Sequence, residues 1–231
     1  MLSVLGPDSV YTYDAAGDTK TSIWYGNGKF VKTYVNPEPR FAASYQLDQN
    51  SSVKLSYDRN VQNIHLLNNS TSTSPTNVYL PTSNIVQPEV SDQVAAGYYN
   101  TFQNRKYEFS TEVYYRAMQN QIDYKDGAQL IGNNNIESQL LFGKGRAYGW
   151  ENYLKKKSGR LTGWISYTLS RTERQITGIN NGSWYAASQD QTHNISVVGV
   201  YKFSKKWTFS GAWVYNTCLL YTSPSPRDRQ K

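Results

Sequence analysis

The sequence predicts an all-β fold: an antiparallel transmembrane β-barrel fragment, an open arc of about eight strands of a larger barrel. Long segments alternate aromatic or aliphatic residues with small or polar ones, as strands do when one face meets lipid and the other meets water. Short turns alternate with long loops, which is typical of short periplasmic turns and long extracellular loops. The chain has 20 Tyr and 6 Trp but is only 38% hydrophobic, which suits a wall with one apolar face better than a dry core.

The clearest hairpin runs from Gln139 to Arg174. Its first strand carries large apolar residues on one face, namely Phe142, Tyr148, Trp150 and Leu154. The opposite face carries small residues and one carboxylate, namely Gly143, Gly145, Ala147, Gly149 and Glu151. Lys155 to Gly159 form the predicted turn, and the second strand again places its apolar residues on one face, at Ile165, Tyr167 and Leu169.

The first part of the chain contains one further strand pair. Residues 6–36 are predicted to be a long loop that carries a small hairpin, Ile23–Tyr25 with Phe30–Tyr34. Arg40 to Leu47 then alternates as a strand, and Val53 to Tyr57 returns after the tight turn Asp48–Ser51.

The remaining elements repeat this arrangement of long loop and hairpin. The predicted long loops are Asn60–Ser91, Lys125–Ser138 and Thr177–Gln191. The predicted hairpins are Gln93–Phe102 with Tyr107–Tyr124, and His193–Phe203 with Trp207–Asn216. Aromatic residues adjoin the short turns at Tyr107, Tyr153 and Trp207, which predicts an interfacial aromatic girdle.

The formal net charge is +7, and the basic residues lie mainly in the tight turns, for example Lys155–Lys157 and Lys205–Lys206. Because they do not form a stripe along one face, we expect lysines that cap turns and no nucleic-acid partner. No window approaches 18 consecutive apolar residues, so no transmembrane helix is predicted. The segment before Gly6 does not read as a signal peptide, and we expect Met1 to be an internal residue of a longer protein.

Two segments are distinguished along the chain. Residues 1–217 are predicted to be a partial barrel domain, whereas residues 218–231 break the alternation abruptly. This tail, CLLYTSPSPRDRQK, resembles translated sequencing adapter, and we expect it to be non-native and disordered. It holds the single Cys, so no disulfide or thiol chemistry is expected in the barrel.

No catalytic or metal site is predicted, and no cofactor. His65 and His193 are far apart and lack companions at ligand spacing. Glu108 and Glu112 share the polar face of one strand, where carboxylates lining a wet lumen are expected rather than an acid–base pair. Gly143-Lys144-Gly145 fits a strand face better than a phosphate loop.

Two pairs of loop aromatics are predicted to contact a ligand: Trp184 with Tyr185, and Trp24 with Tyr25. Exposed rings beside amide side chains suit stacking on sugars or aromatic ligands. The alternative is that these rings pack loops together or lie at the level of the lipid headgroups.

Whole hairpins of the chain resemble one family. The segments Asn36–Leu67, Leu140–Arg174 and Thr192–Trp207, with Trp184-Tyr185, are similar to the barrel of Bacteroidetes-type TonB-dependent receptors. The resemblance implies a plugged barrel of about 22 strands in the cell outer membrane. It implies import of siderophore–iron complexes, cobalamin or oligosaccharides, powered by the TonB–ExbB–ExbD complex through an N-terminal region.

The chain departs from the family pattern because it shows no plug, no TonB box and no final strand that ends in an aromatic residue. We therefore expect the C-terminal part of a barrel, cut at both ends. Two other functions stay open: a soluble or surface-anchored β-sandwich that binds carbohydrate as an adhesin, and a barrel enzyme such as a phospholipase or protease. The enzyme is disfavoured, because neither His lies in a catalytic setting.

Overall fold

A computed structural model describes residues 2–6, 9–13, 19–68, 77–125 and 136–217. The strands in the first part of the chain are β1 (Leu2–Gly6), β2 (Ser9–Tyr13), β3 (Thr19–Trp24), β4 (Lys29–Tyr34), β5 (Arg40–Gln46), β6 (Ser51–Gln62), β7 (Ile64–Asn68) and β8 (Asn77–Pro81). The later strands are β9 (Glu89–Phe102), β10 (Tyr107–Tyr124), β11 (Leu140–Lys156), β12 (Leu161–Ile176), β13 (Tyr185–Ala186), β14 (His193–Lys202) and β15 (Thr208–Asn216). Ile136–Gln139 and Asn180–Gly182 are short 3₁₀ turns. The predicted adapter-derived tail, residues 218–231, lies outside the described residues.

Eight strands form one antiparallel sheet in the order β15–β14–β12–β11–β10–β9–β6–β5, and the two-residue strand β13 pairs with β12. Residues 47–50, 103–106, 157–160 and 203–207 make short turns at one end of the sheet. The long connections begin and end at the other end of the sheet, and the structure describes residues 63–68, 77–88, 125, 136–139 and 177–192 of them. This is the predicted open arc, with short periplasmic turns and long extracellular loops.

The small hairpin predicted near the start of the chain is paired differently. β3 and β4 both form, but they do not pair with each other. β2 pairs with β3, with Val10 opposite Ile23, while β1 pairs with β4, with Leu2 opposite Tyr34. The prediction was wrong because it paired β3 with β4 on the ground that they are adjacent in sequence. The sequence pattern did not reveal β1 and β2, which are the strands that pair with them.

One face of the main sheet is apolar across all eight strands. In antiparallel strands, directly opposed residues share a face, so the register defines rows across the wall. One row runs Ala43, Leu55, Ala96, Val113, Trp150, Leu169, and a second runs Phe109, Leu154, Ile165, Val197, Trp213. We call this side the lipid face. Val113 is 52% exposed, Ile165 48% and Leu169 37%, so these residues do not form the sealed core that a two-layered sandwich requires.

The opposite side, the lumen face, is polar and contains rings laid over glycines. A Cβ atom on Gly149 would lie 2.8 Å from the ring of Tyr114, its neighbour on β10. A Cβ atom on Gly97 would lie 2.9 Å from the ring of Tyr99. The glycines thus provide room for tyrosine rings that lie along the wall.

The turn between β5 and β6 is held by Asp48. Its Oδ1 accepts backbone N–H groups from Asn50 at 2.6 Å and from Ser51 at 2.9 Å, and the Ser51 hydroxyl donates to Oδ2 at 2.6 Å. The hydroxyl bond, reinforced by the backbone bonds, keeps the pKa of Asp48 below its usual value. The Asp48 carboxylate is therefore ionised at neutral pH, and as an acceptor it holds the turn.

β10 contains a bulge at its extracellular end. Asn120 has φ 55° and no partner on β11, because Gln119 pairs with Lys144 and Gln121 pairs with the next residue, Gly143. Its side-chain amide donates to the carbonyl of Pro88 at 2.8 Å. The extra residue reverses the alternation, so Gln121 and the residues beyond it exchange faces relative to the lower part of the strand.

The extracellular end also holds a small apolar core, formed by Leu67, Val86, Ile122, Tyr124 and Leu140. It lies where the β7–β8 hairpin and the segment that follows it meet the extended ends of β10 and β11. The long excursion between β6 and β9 is therefore packed structure in its described part, with residues 69–76 outside the described range.

We predict that the 231-residue chain alone does not form a stable barrel. Strands β5 and β15 are the edges of the described sheet, and their unpaired backbone groups would be very costly in hydrocarbon. After refolding in detergent, gel mobility should be the same with and without heating. A compact band that shifts on heating would contradict this expectation.

A substitution of Gly149 by Ala should destabilise the folded wall by about 1–3 kcal/mol, because the new methyl group overlaps the Tyr114 ring. The measurement is denaturant unfolding of the full-length protein in detergent. Gly199→Ala is the matched control, since a Cβ atom there meets nothing within 4 Å. Adding Tyr114→Ala to Gly149→Ala should remove the overlap, and equal destabilisation by the two glycine variants would contradict the account.

Candidate functional site

The lumen face at mid-wall carries a row of polar and charged residues across seven strands. The row runs Lys54, Gly97, Glu112, Glu151, Thr168, Asn194, Asn216. Tyr99 lies beside it, donates its hydroxyl to Glu112 Oε2 at 2.8 Å, and has the Lys54 ammonium 4.6 Å from its ring centre. The ring therefore links a cation on β6 to a carboxylate on β10.

Glu112 and Glu151 stand directly opposite each other on β10 and β11. Like charges in this position repel, and no described Lys or Arg forms an ion pair with either carboxylate. The alternation correctly placed Glu112 and Glu108 on one face, but Glu108 is paired with Lys157 at the periplasmic end. The Glu112–Glu151 pair thus places two carboxylates without an ion-pair partner side by side on the described lumen face.

A shallow depression of about 510 Å³ lies at the periplasmic end of the lumen face. Hydroxyl and amide groups line most of it, including Gln46, Asn50, Ser110 and Tyr153. Tyr153 was predicted to join the interfacial girdle, but its register with Ser110 and Ser166 puts it on the lumen face, where its ring centre is 5.9 Å from that of Trp164. The strand alternation, rather than the distance from the turn, decides its side.

At the extracellular end, the bulge in β10 turns Asp123 toward the lumen face. Tyr185 donates its hydroxyl to Asp123 Oδ2 at 3.0 Å, and Arg174 Nη1 lies 3.7 Å from the same oxygen. β13 positions Tyr185 by pairing it with Arg174. A tyrosine, a guanidinium and a carboxylate are therefore gathered at the mouth of the wall.

Trp184, the neighbour of Tyr185, lies on the other side. Its ring is 4.2 Å from the Arg146 guanidinium carbon, and the Lys144 ammonium is 5.8 Å away. Lys144 and Arg146 continue the lipid face of β11 above the apolar rows. The structure thus separates the two adjacent aromatics.

Ion pairs follow the lipid face at this height. Arg146 binds Glu173 at 2.7 Å, and Arg59 binds Asp92 at 2.7 Å. Arg171 binds Asp190 at 2.8 Å, and Asp190 also accepts the backbone N–H of Thr172 at 2.6 Å. These pairs mark where the apolar band ends, and the Asp190 contacts tie the loop after β12 to the wall.

Trp24 and Tyr25 lie at the end of β3, far along the chain from the other aromatic pair. Trp24 is 72% exposed. β3 belongs to the small β2–β3 sheet, whereas β13, which carries Tyr185, pairs with the main sheet.

Sequence spacing missed one buried cluster. His65 Nε2 is 3.2 Å from Thr82 Oγ1, and His65 Nδ1 is 3.5 Å from Glu89 Oε1. The order hydroxyl, imidazole, carboxylate is that of a catalytic triad, but His65 is 1% exposed and Thr82 7%. Substrate cannot reach a hydroxyl so enclosed, so the cluster packs the base of the β7–β8 hairpin.

The described residues contain no group of three or more His, Cys, Asp or Glu placed to hold a metal ion. His193 lies on the lipid face, where its Nδ1 is 3.0 Å from the hydroxyl of Tyr167. No helix in the described part of the chain is long and apolar enough to cross a membrane.

Comparisons with known proteins bear on this two-faced wall. A family model described as "TonB dependent receptor-like, beta-barrel" matches residues 9–228, which includes part of the tail. No curated protein matches the chain. Solved structures that are similar include the ferripyoverdine receptor of the outer membrane of Pseudomonas aeruginosa bound to ferripyoverdine, with 15% identity, TM-score 0.53, and coverage of 83% of this chain and 23% of the receptor.

Two further structures are similar. One is the P. aeruginosa FpvA complex with a heterologous pyoverdine, with 14% identity, TM-score 0.55, and coverage of 86% of this chain and 24% of that chain. The other is the FpvAI–pyocin S2 complex, with 14% identity, TM-score 0.54, and coverage of 84% and 24%. The chain therefore spans about a quarter of the length of these solved proteins, and at this identity the likeness concerns the fold.

Proposed function

Because the chain belongs to the TonB-dependent receptor family, we propose that its full-length protein imports a ligand across the outer membrane through a barrel to which this wall contributes. The observation that carries the proposal is the division of one sheet into an exposed apolar face and a polar lumen face. A transport wall needs both at once, because lipid lies on one side and a wet passage on the other. Energy would come from the TonB–ExbB–ExbD complex through an N-terminal region.

A ferric siderophore is the ligand class that we place first. The support is the ferripyoverdine receptor among the similar structures, together with a mouth where Arg174 and Tyr185 offer a cation and a hydroxyl to a chelate with oxygen donors. Cobalamin and oligosaccharides are the other classes that the resemblance implies. The exposed hydroxyl and amide groups of the lumen face suit passage of any hydrated ligand.

We propose a transporter without an enzymatic step. Support comes from the two histidines, the residues an outer-membrane hydrolase would need as a base. His193 is on the lipid face beside Tyr167, and His65 is enclosed by Thr82 and Glu89. Neither faces the lumen as a free base.

Ligand contact falls first to Tyr185 in this proposal. It stands on the lumen face with Asp123 and Arg174, where an incoming ligand would pass. Trp184 packs against Arg146 on the opposite face, which is the loop-packing alternative. For Trp184, Trp24 and Tyr25 ligand contact stays a prediction.

Uptake by cells that carry the full-length receptor tests the function. Cells expressing it should accumulate radiolabelled iron from ferric siderophores, and deletion of the TonB gene should abolish accumulation while leaving binding at the cell surface intact. If iron accumulation does not depend on the receptor but cobalamin or oligosaccharide uptake does, that compound replaces the ferric siderophore as the ligand class. Failure to transport any of the three would end the proposal.

Alanine substitution tests the binding role of Tyr185. Tyr185→Ala should weaken ligand binding about fivefold, because a hydrogen bond contributes about 1 kcal/mol. Trp213→Ala, which removes an exposed ring from the lipid face, is the control and should leave binding unchanged. Equilibrium binding to the purified receptor is the measurement, and an unchanged affinity for Tyr185→Ala would remove its binding role.

A further inference from the structure

The net positive charge of the chain lies at the periplasmic end of the sheet. We define the rim as the four short turns with their flanking strand residues, 47–51, 102–108, 155–161 and 202–208. Its basic residues are Arg105, Lys106, Lys155, Lys156, Lys157, Arg160, Lys202, Lys205 and Lys206, and its acidic residues are Asp48 and Glu108. The excess of seven positive charges equals the formal net charge of the whole chain, +7, so the rest of the sequence is neutral on balance.

From this charge and its position we propose that the rim binds the anionic headgroups of phospholipids in the inner leaflet of the outer membrane. This binding is a further property of the wall and does not depend on which ligand is carried. It rests only on the orientation of the barrel, with its short turns toward the periplasm.

The rim is one continuous surface rather than separate turns. Lys157 N donates to Lys106 O at 2.8 Å, and Lys202 N donates to Arg160 O at 2.8 Å. Thr101 N likewise donates to Asn50 O at 2.8 Å. These backbone bonds join each short turn to the next, so cations from three hairpins lie along a single edge.

Most of these cations are free to bind an external anion. Among the described residues, Lys157 is the rim cation that has an ion-pair partner, Glu108. The extracellular end is different, because Arg59, Arg146 and Arg171 are each paired with a carboxylate there. The described rim therefore carries cations that carboxylates of the same chain do not compensate, unlike these three arginines.

The position of the rim favours lipid over an acidic protein as its partner. Tyr107 on the lipid face stacks on Phe102 with ring centres 5.2 Å apart. The ammonium groups of Lys106 and Lys156 each lie 5.9 Å from the Tyr107 ring centre. An aromatic pair flanked by lysines at the edge of the apolar band is the arrangement expected at the headgroup level, where rings and long basic side chains anchor a membrane protein.

The test is lipid binding to the full-length receptor in detergent, measured by native mass spectrometry. Phosphatidylglycerol and phosphatidylcholine with identical acyl chains are the probes. The receptor should bind phosphatidylglycerol at least about tenfold more tightly, because each basic residue near an anionic surface adds attraction. This preference should shrink as the ionic strength rises.

Two triple variants locate the site. K156Q/K205Q/K206Q removes three rim charges and should abolish most of the preference for phosphatidylglycerol. K20Q/K29Q/K32Q removes three exposed charges from β3 and β4 and should leave the preference intact. Heat-dependent gel mobility checks that both variants are folded.

Equal binding of the two lipids by the unmodified receptor would overturn the proposal. A rim that binds an acidic protein instead of lipid would give this result. Equal loss of preference in both triple variants would also overturn it, because the effect would then be one of net charge. The unmodified receptor alone gives a decisive result if a variant does not fold. Iron uptake is measured separately, so failure of lipid binding and failure of transport are distinguishable.

Discussion

The wall depends on the requirement that every backbone N–H and C=O group in hydrocarbon be hydrogen-bonded. Strands of up to 18 residues, such as β10, meet it by pairing with β11 to Tyr124 on one side and with β9 to Gln119 on the other. Since pairing fixes the register, it also fixes which side chains share a row. The apolar rows and the polar rows are both consequences of one ladder of backbone bonds.

The lumen face packs its side chains against the backbone, because it has no dry core to pack against. Tyr114 over Gly149 and Tyr99 over Gly97 use rings as flat covers on the backbone, and Tyr99 also orders Glu112. The lipid face needs no such devices, because acyl chains fill any shape. The two faces therefore obey different packing rules although they belong to the same strands.

Alternation in the sequence predicted the eight main strands and, except beyond the bulge at Asn120, their faces, because a period of two is a local property that the sequence shows directly. It could not predict the partners of β3 and β4, which depend on strands elsewhere in the chain. The aromatic pair Trp184 and Tyr185 illustrates the same limit for the site. Adjacent residues of an extended chain point to opposite sides, which would separate the rings, but only the pairing of β13 with β12 shows that Tyr185 lies in a strand. The contact of His65 with Glu89 needed the β7–β8 hairpin to fold back.

The bulge at Asn120 separates the side-chain alternation of the barrel mouth from that of the segment within the bilayer. One unpaired residue offsets the pleat above it, so the mouth of the barrel follows its own alternation while the part within the bilayer keeps another. Asp123 can therefore face the wet passage beside Tyr185 although Val113, at an odd position of the same strand, faces lipid. A single unpaired residue is enough to let one strand serve two surroundings at different heights.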